Sequence, residues 1–295
     1  VSAIVNVLAI AGSDPSGGAG IQADLKTIQA TGGYGMAAIT ALTAQNTRGV
    51  RSVHVPPPAF LRDQLDAISD DIAIDAVKIG MLGTAEVADV VARWLRSLAT
   101  APAVVLDPVM VATSGDRLLD ERAERSLADL IALADVVTPN LPELAALLDE
   151  PVATAWPDAL DQARRLAARH DVLVLAKGGH SGGDSCPDAL VDAGGGILRM
   201  DGERIRTANT HGTGCTLSSA LATLGARTGD WPTAARLARD WLRGALAAAD
   251  ALDVGRPGGH GPVHHAHAIR PVSIPFGAGD RVAAGPAVSW VPTTE

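Results

Sequence analysis

Cysteine is scarce in this 295-residue chain, which has only Cys186 and Cys215. Neither belongs to a C-x-x-C pair or a Cys/His metal spacing, so a disulfide framework and a zinc site are both excluded. Long apolar runs are also missing, and none approaches the roughly 18 to 20 residues that a membrane helix requires. The apolar start from Val1 to Ala11 has no basic flank and is broken by Ser2 and Asn6, so it reads as a first buried strand rather than a signal peptide. Positive charge is in deficit: 24 Lys+Arg against 33 Asp+Glu leave a net charge of −9. With no basic run, a nucleic-acid groove or an anionic membrane surface is disfavoured, and a small-molecule partner in the cytoplasm is expected. No G-x-x-x-x-G-K-[ST] occurs, which excludes a P-loop. Gly18-Ala19-Gly20-Ile21-Gln22-Ala23 is a literal G-x-G-x-x-A, but no Asp or Glu stands between Asp24 and Asp63. The acid that a dinucleotide site uses to hold ribose is therefore absent, which counts against a nicotinamide oxidoreductase.

What the chain does have is glycine in two particular turns. Gly12 to Gly20 (GSDPSGGAG) and His211 to Thr216 (HGTGCT) each lead from a polar or extended segment into a helical pattern. That geometry aims unpaired backbone N–H groups at an anion, and two such turns suggest a phosphate-transfer cleft. Short apolar runs rich in β-branched residues alternate with helical patterns: Val5 to Ala11, Met36 to Leu42, Ala76 to Ile79, Val104 to Leu106, Val136 to Thr138 and Val172 to Ala176. The alternation predicts an α/β fold with a parallel sheet and crossover helices. Val87, Val90, Val91, Trp94, Leu95 and Leu98 form one apolar helical stripe, which belongs to the core. Tight turns at Gly194 to Gly196 and at Asp201-Gly202 predict antiparallel strands continuing to Thr207. Helices are expected from Gly212 and from about Pro232 to Leu252. One domain is expected to about residue 270, followed by a poorly ordered tail over 271–295 rich in proline and glycine.

Ligands of open parallel sheets bind beyond the carboxyl ends of the strands. Polar residues follow the apolar runs at Gly12 to Gly20, Thr43 to Asn46, Asp107 to Met110, Thr138 to Glu143 and Lys177 to His180. Asp107 is either a strand-terminating turn residue or, with Glu143, one of two carboxylates suited to Mg²⁺ beside nucleotide phosphates. Asn140 three residues before Glu143 also fits a helix capping box. Lys177 offers a point charge for a polyphosphate, or is an ordinary ion-paired surface group. Cys215 is either a small buried residue or, because a helix amino terminus lowers a thiol's pKa, a base for an acceptor alcohol. The amides of Gly212 to Cys215 would then hold the charge on the transferred phosphoryl group. His260, His264, His265 and His267 lie among prolines and glycines without a nearby Cys or acid, which disfavours a metal site.

Seven segments carry a resemblance: GSDPSGGAGIQADLKT from Gly12, YGMAAITALTAQNT from Tyr34, VKIGMLG from Val77, LDPVMVATSG from Leu106, TPNLPE from Thr138, KGGH from Lys177 and HGTGCT from His211. Together they resemble the bacterial hydroxymethylpyrimidine and phosphomethylpyrimidine kinases of thiamine biosynthesis, within the ribokinase-like superfamily; GHGPVHH from Gly259 resembles that family's carboxyl-terminal signature. The resemblance spans about residues 5 to 267. It implies a ribokinase-like three-layer sandwich with a mostly parallel central sheet flanked by helices. It also implies two MgATP-dependent phosphorylations, first of 4-amino-5-hydroxymethyl-2-methylpyrimidine and then of its monophosphate. Carried over by motif position, Gly12, Asp24, Gln45 and Met81 line the pyrimidine pocket. By the same resemblance Asn140 and Lys177 serve the ATP phosphates, Asp107 and Glu143 serve Mg²⁺, and Gly212, Thr213 and Gly214 form the anion hole. Cys215 stands where many ribokinase-like sugar kinases carry a catalytic aspartate. ATP and Mg²⁺ are the implied cofactors and a homodimer the implied assembly.

A pyridoxine or pyridoxal kinase of the same superfamily is the alternative enzyme, and Gln45, with a donor and an acceptor, favours the aminopyrimidine. A pyrimidine-binding protein without catalysis would predict a damaged anion hole, whereas His211 to Thr216 is intact. The segment Ser181 to Pro187 and the tail after Ile269 have no counterpart in the resemblance, and 295 residues leave no room for a fused thiamine-phosphate synthase barrel.

Overall fold

A computed structural model of the chain describes residues 4–109, 121–180, 183–256 and 258–269. In chain order the elements are β1 (Val5–Ala11), α1 (Gly20–Ala30), β2 (Gly33–Ile39), β3 (Leu42–Asn46), β4 (Gly49–His54), α2 (Pro58–Ser69), β5 (Ala76–Ile79) and α3 (Ala85–Ser97). They continue as β6 (Ala103–Leu106), α4 (Glu121–Ile131), β7 (Val136–Val137), α5 (Leu141–Leu148), α6 (Trp156–His170), β8 (Leu173–Lys177), β9 (Asp188–Val191), β10 (Ile197–Met200), α7 (Thr213–Thr228) and α8 (Trp231–Ala247). One sheet runs β10-β9-β8-β7-β6-β5-β1-β2. Its strands from β8 to β2 are parallel, while β9 and β10 form the antiparallel edge that the turn residues announced.

The sheet is covered on both faces, which is why its strands read as near-continuous apolar runs rather than alternating ones. Successive side chains point to opposite faces. Leu8, Ile10, Val77, Ile79, Val104 and Leu106 share one core cluster with Trp94, Leu130, Leu144 and Leu166 of the helices. Val7, Ala9, Ala76, Val105 and Val136 share the other with Leu217, Leu221, Ala235, Ala238 and Leu242 of α7 and α8. Each fully buried Val, Leu or Ile contributes about 1.5–3 kcal/mol of transfer free energy. The predicted stripe on α3 is buried at Val87, Val90, Val91 and Trp94, and Thr84 caps the helix by accepting the Val87 N–H at 3.3 Å. Among the described residues, no helix is long and apolar enough to cross a membrane.

Two expectations change. The run Met36 to Leu42 is not one strand: β2 stops at Ile39, and Leu42 opens β3, which pairs with β4 in a separate antiparallel hairpin. Thr43 to Asn46 are therefore hairpin strand rather than a loop at a sheet end. No glycine or proline marks the break at Thr40-Ala41, so apolar periodicity runs straight through it. The second change lies past Met200, where the residues to Thr207 form no strand and only Glu203 makes an isolated bridge, to Ser185. The expected domain end near residue 270, the tail over 271–295, Met110 of the LDPVMVATSG segment and the start of the segment at Ser181 lie outside the described residues.

Candidate active site

The two glycine-rich turns meet, but only one is left open to an anion. In the first, the buried Asp14 carboxylate accepts the N–H groups of Ser16 at 2.9 Å, Gly18 at 3.1 Å and Ala19 at 2.8 Å, and the Ser16 hydroxyl at 2.7 Å. Burial pushes this carboxyl up, yet His211, Ser16 and the loop amides outweigh it and hold it at about 2. The expectation that both turns aim amides at a phosphate is thus corrected, because the first turn wraps its own carboxylate. The second turn opens α7, and its N-cap Gly212 supplies no side-chain cap. Gly214 and Cys215, in the first turn of α7, have no earlier helical turn to donate to.

Gly212 adopts φ +78°, and a Cβ there would run into the carbonyl oxygen of Gly18. Only glycine meets both the left-handed conformation and the close approach between the two turns. Gly212→Ala is expected to lower kcat/KM at least about a hundredfold, the loss typical of one displaced oxyanion donor. Steady-state kinetics on the purified variant check this, and near wild-type kcat/KM would contradict it.

Opposite the α7 opening stand the ends of β6, β7 and β8. A Cβ on Gly214 would lie 3.4 Å from both Asp107 Oδ2 and Lys177 Nζ. Lys177 donates to Asp107 Oδ1 at 3.0 Å and sits 3.9 Å from Glu143 Oε2, while the Thr138 hydroxyl donates to Asp107 at 3.1 Å. Asn140 and Glu143 form a complete capping box, in which the Asn140 N–H donates to Glu143 Oε2 at 2.8 Å and the Glu143 N–H to Asn140 Oδ1 at 2.9 Å. The capping reading of Glu143 is the one these contacts show: Oε2 caps α5, and the same oxygen lies 3.9 Å from Lys177. Asn140 is a cap with its side-chain oxygen engaged.

Burial pushes Asp107 up, but Lys177 and Lys78 outweigh it and leave it below the usual carboxylate range. Burial pushes Glu143 up to about 7, against the pull of Lys177 and with Asp107 adding to the rise. For Lys177, burial would favour the neutral amine, yet Asp107 and Glu143 raise its pKa. Between the ordinary value of 4.5 and about 7, folded Glu143 holds a proton that the unfolded chain has released, so stability declines as pH rises through that window. Glu143→Gln is expected to flatten this slope in urea melts between about pH 5 and 8, and an unchanged slope would contradict the assignment.

Beneath the α7 opening lies a second charged pair. Lys78, on β5, donates to Asp24 Oδ1 at 2.7 Å with both side chains wholly enclosed, and Ser219 donates to the same oxygen at 2.7 Å. Ser219 is one helical turn from Cys215, so pair and thiol share a face of α7. The expected place of Asp24 in the lining of the pyrimidine pocket does not agree with these contacts: Oδ1 is occupied by Lys78 and Ser219, and Oδ2 is buried without a partner. The thiol also departs from expectation. Burial, with Asp24 and Asp107 adding, pushes Cys215 up to about 11, although Lys78 and the Gly20 N–H pull the other way. Desolvation outweighs the helix terminus, so Cys215 carries its proton at neutral pH in the unliganded chain.

Gly12 and Met81 pack together, with the Met81 methyl filling the space a Gly12 Cβ would take. Gln45 sits on β3 where the pairing with β4 shifts register, and its side chain reaches to 3.4 Å from His211 Nε2. His211 in turn lies 2.8 Å from Asp14 Oδ2. Gln45 and Asp14 thus both meet the α7 opening at His211.

The sequence matches the phosphomethylpyrimidine kinase family over residues 14–264. The chain belongs to that family. It is 52% identical over 264 residues to the thiamine biosynthesis multifunctional protein of Corynebacterium glutamicum, with 90% of this chain aligned to 34% of that protein. It therefore spans about a third of that relative's length, and likewise 35% of the multifunctional protein of Corynebacterium efficiens. It is 51% identical over 265 residues to the hydroxymethylpyrimidine/phosphomethylpyrimidine kinase of Escherichia coli, covering 90% of this chain and 98% of that one. Among solved structures it is similar to an ADP complex of Bacillus subtilis pyridoxal kinase, with TM-score 0.79 and 31% identity over 90% of this chain and 99% of that one.

Within this phosphomethylpyrimidine kinase fold, sequence reasoning missed Lys78, Asp14, His211 and Ser219 as individuals. Lys78 was visible: a lysine inside the otherwise apolar strand Ala76-Val77-Lys78-Ile79 needs a buried partner. Asp14 and His211 lay within the quoted motifs, but their pairing across 197 residues has no local signature. The carboxyl-terminal histidines pack: His265 meets Thr216 Oγ1 at 3.0 Å, and His267 lies against Trp241 with ring centroids 5.2 Å apart.

Proposed function

We propose that the chain is a kinase that transfers phosphate from MgATP to 4-amino-5-hydroxymethyl-2-methylpyrimidine and then to the monophosphate so formed. The observation that carries this reading is convergence. The opening of α7 at Gly214 lies against the Asp107–Lys177 pair, and His211, 2.8 Å from Asp14 and 3.4 Å from Gln45, joins the same turn to an amide able to read a pyrimidine edge. In that arrangement the Gly212 to Cys215 amides and Lys177 hold charge on the transferred phosphoryl group. Cys215, in its scarce thiolate form, takes the proton of the acceptor hydroxyl, while Gln45, Gly12 and Met81 orient the ring.

A divalent cation fits beside Asp107 and Glu143: two buried carboxyls share one lysine, and burial, with Asp107 adding, keeps a proton on Glu143 toward neutral pH that a cation would displace. Bound there through its waters, Mg²⁺ would neutralise phosphate charge. Among the described residues no group of three or more His, Cys, Asp or Glu could hold a metal ion. Exposed Leu42 and Val53 on the β3–β4 hairpin support a homodimer, which light scattering would test.

The test is to incubate the chain with MgATP and hydroxymethylpyrimidine and to weigh the products. Successive addition of one and two phosphates is expected. No transfer to the pyrimidine, with transfer to pyridoxal in a parallel reaction, would overturn the reading in favour of the pyridoxal kinase alternative.

A further inference from the structure

We propose that Asp14, acting through His211, fixes the direction in which the Gln45 amide presents its donor and acceptor, and thereby makes the site selective for the hydrogen-bonding polarity of a 4-aminopyrimidine edge. The inference rests on Gln45 being the ring contact, as read above.

Asp14 is an acceptor at every contact. Its Oδ1 receives the Ser16 N–H and O–H and its Oδ2 receives the Gly18 and Ala19 N–H groups. His211 Nε2 lies 2.8 Å from that Oδ2 and must therefore carry a hydrogen. As placed, the Gln45 amide nitrogen lies 3.4 Å from the same Nε2, so two donors face each other. At its other end the amide oxygen lies 3.4 Å from Thr43 Oγ1, whose single hydrogen is given to the Ser13 carbonyl at 2.8 Å, so two acceptors face each other. Amide nitrogen and oxygen are nearly isosteric and are assigned from their partners. Exchanging them resolves both conflicts together: Oε1 then shares the His211 N–H, and Nε2 donates to Thr43. The register shift between Ala44 and Gln45 sets where the amide is aimed. Its polarity comes from the far end of the chain of contacts, at a carboxylate 31 residues earlier in sequence.

An amide held this way offers one remaining lone pair beside one remaining hydrogen, in a fixed order. A 4-aminopyrimidine edge presents a donor beside an acceptor, and the corresponding 4-oxo lactam presents the reverse. A site with fixed polarity rejects the reversed edge, because the buried groups are left unpaired. Asp14 and His211 are thus positioning residues that act through Gln45.

The experiment measures kcat/KM for hydroxymethylpyrimidine and for its 4-oxo analogue, in wild type, His211→Phe and Asp14→Asn. Wild type is expected to prefer the amino edge by at least about a hundredfold, and each variant to lose at least about tenfold of that ratio while KM for ATP changes less than about twofold. A variant that keeps the wild-type ratio, with KM for ATP also unchanged to show that it is folded, overturns the proposal. Because Asp14 also ties the loop amides, nitrogen-15 NMR of wild-type His211 gives a second readout that needs no variant and no turnover. A hydrogen on Nε2 is required, and a tautomer with hydrogen on Nδ1 alone refutes the proposal. A wild-type chain inactive on the pyrimidine would instead defeat the assigned activity, leaving the NMR result to judge the orientation.

Discussion

Lys78→Met is expected to destabilise the chain by about 3–5 kcal/mol, the cost of leaving one partner of a buried ion pair uncompensated. Lys78 and Asp24 are both fully enclosed, and among the described residues Ser219 is the only other donor to the carboxylate. Remove the ammonium, and burial, which already raises the Asp24 carboxyl, acts with little opposition. The group then protonates or unfolds its surroundings. Adding Asp24→Leu removes the orphaned charge and should restore most of the lost stability, since an apolar pair of similar volume is often as stable as the ion pair it replaces. Urea denaturation of wild type, the single variant and the double variant measures both effects. A single variant within about 1 kcal/mol of wild type would show that water reaches this pair and that it is not the enclosed charge described. The double variant also separates stability from chemistry: it should fold and still transfer phosphate slowly, because Lys78 pulls the Cys215 thiol toward ionisation.

Much of the fold was readable because its signals are local. Both faces of the sheet are buried, so β1, β5, β6, β7 and β8 announce themselves as short apolar runs, and glycine turns mark the antiparallel edge. The hairpin of β3 and β4 was missed because its first strand continues the apolar pattern of β2 without punctuation. At the site, strand-end logic correctly grouped Asp107, Glu143 and Lys177, which the structure brings within an ion-pair network. It could not say which amides were free. Asp14 looks from sequence like one more polar loop residue, and only the folded turn shows that it consumes the amides a phosphate would have used. The expected lowering of the thiol's pKa failed for a related reason: a helix amino terminus is visible in sequence, whereas the enclosure that outweighs it depends on α1, β5 and α7 closing together.

Cys215→Ala is expected to slow the first phosphorylation by about 10²- to 10⁴-fold and the second by less than about tenfold. The two acceptors differ in what they ask of the protein. A hydroxymethyl group must lose a proton as it attacks, whereas a phosphate monoester is already anionic and needs only to be positioned. A thiol pushed up to about 11 is mostly protonated at neutral pH, so its reactive form is scarce, but that form is a strong base. The sign follows directly: the thiolate fraction rises about tenfold per pH unit well below the pKa. If Cys215 is the base, the first step in wild type must accelerate with pH from about 6 to 9, while the second stays nearly flat. The alanine variant should lose that dependence in the first step. Single-turnover measurements with hydroxymethylpyrimidine and, separately, its monophosphate resolve the two steps. Equal slowing of both, or a first step equally pH-dependent without the thiol, assigns the proton to another acceptor and leaves Cys215 as packing at the helix opening.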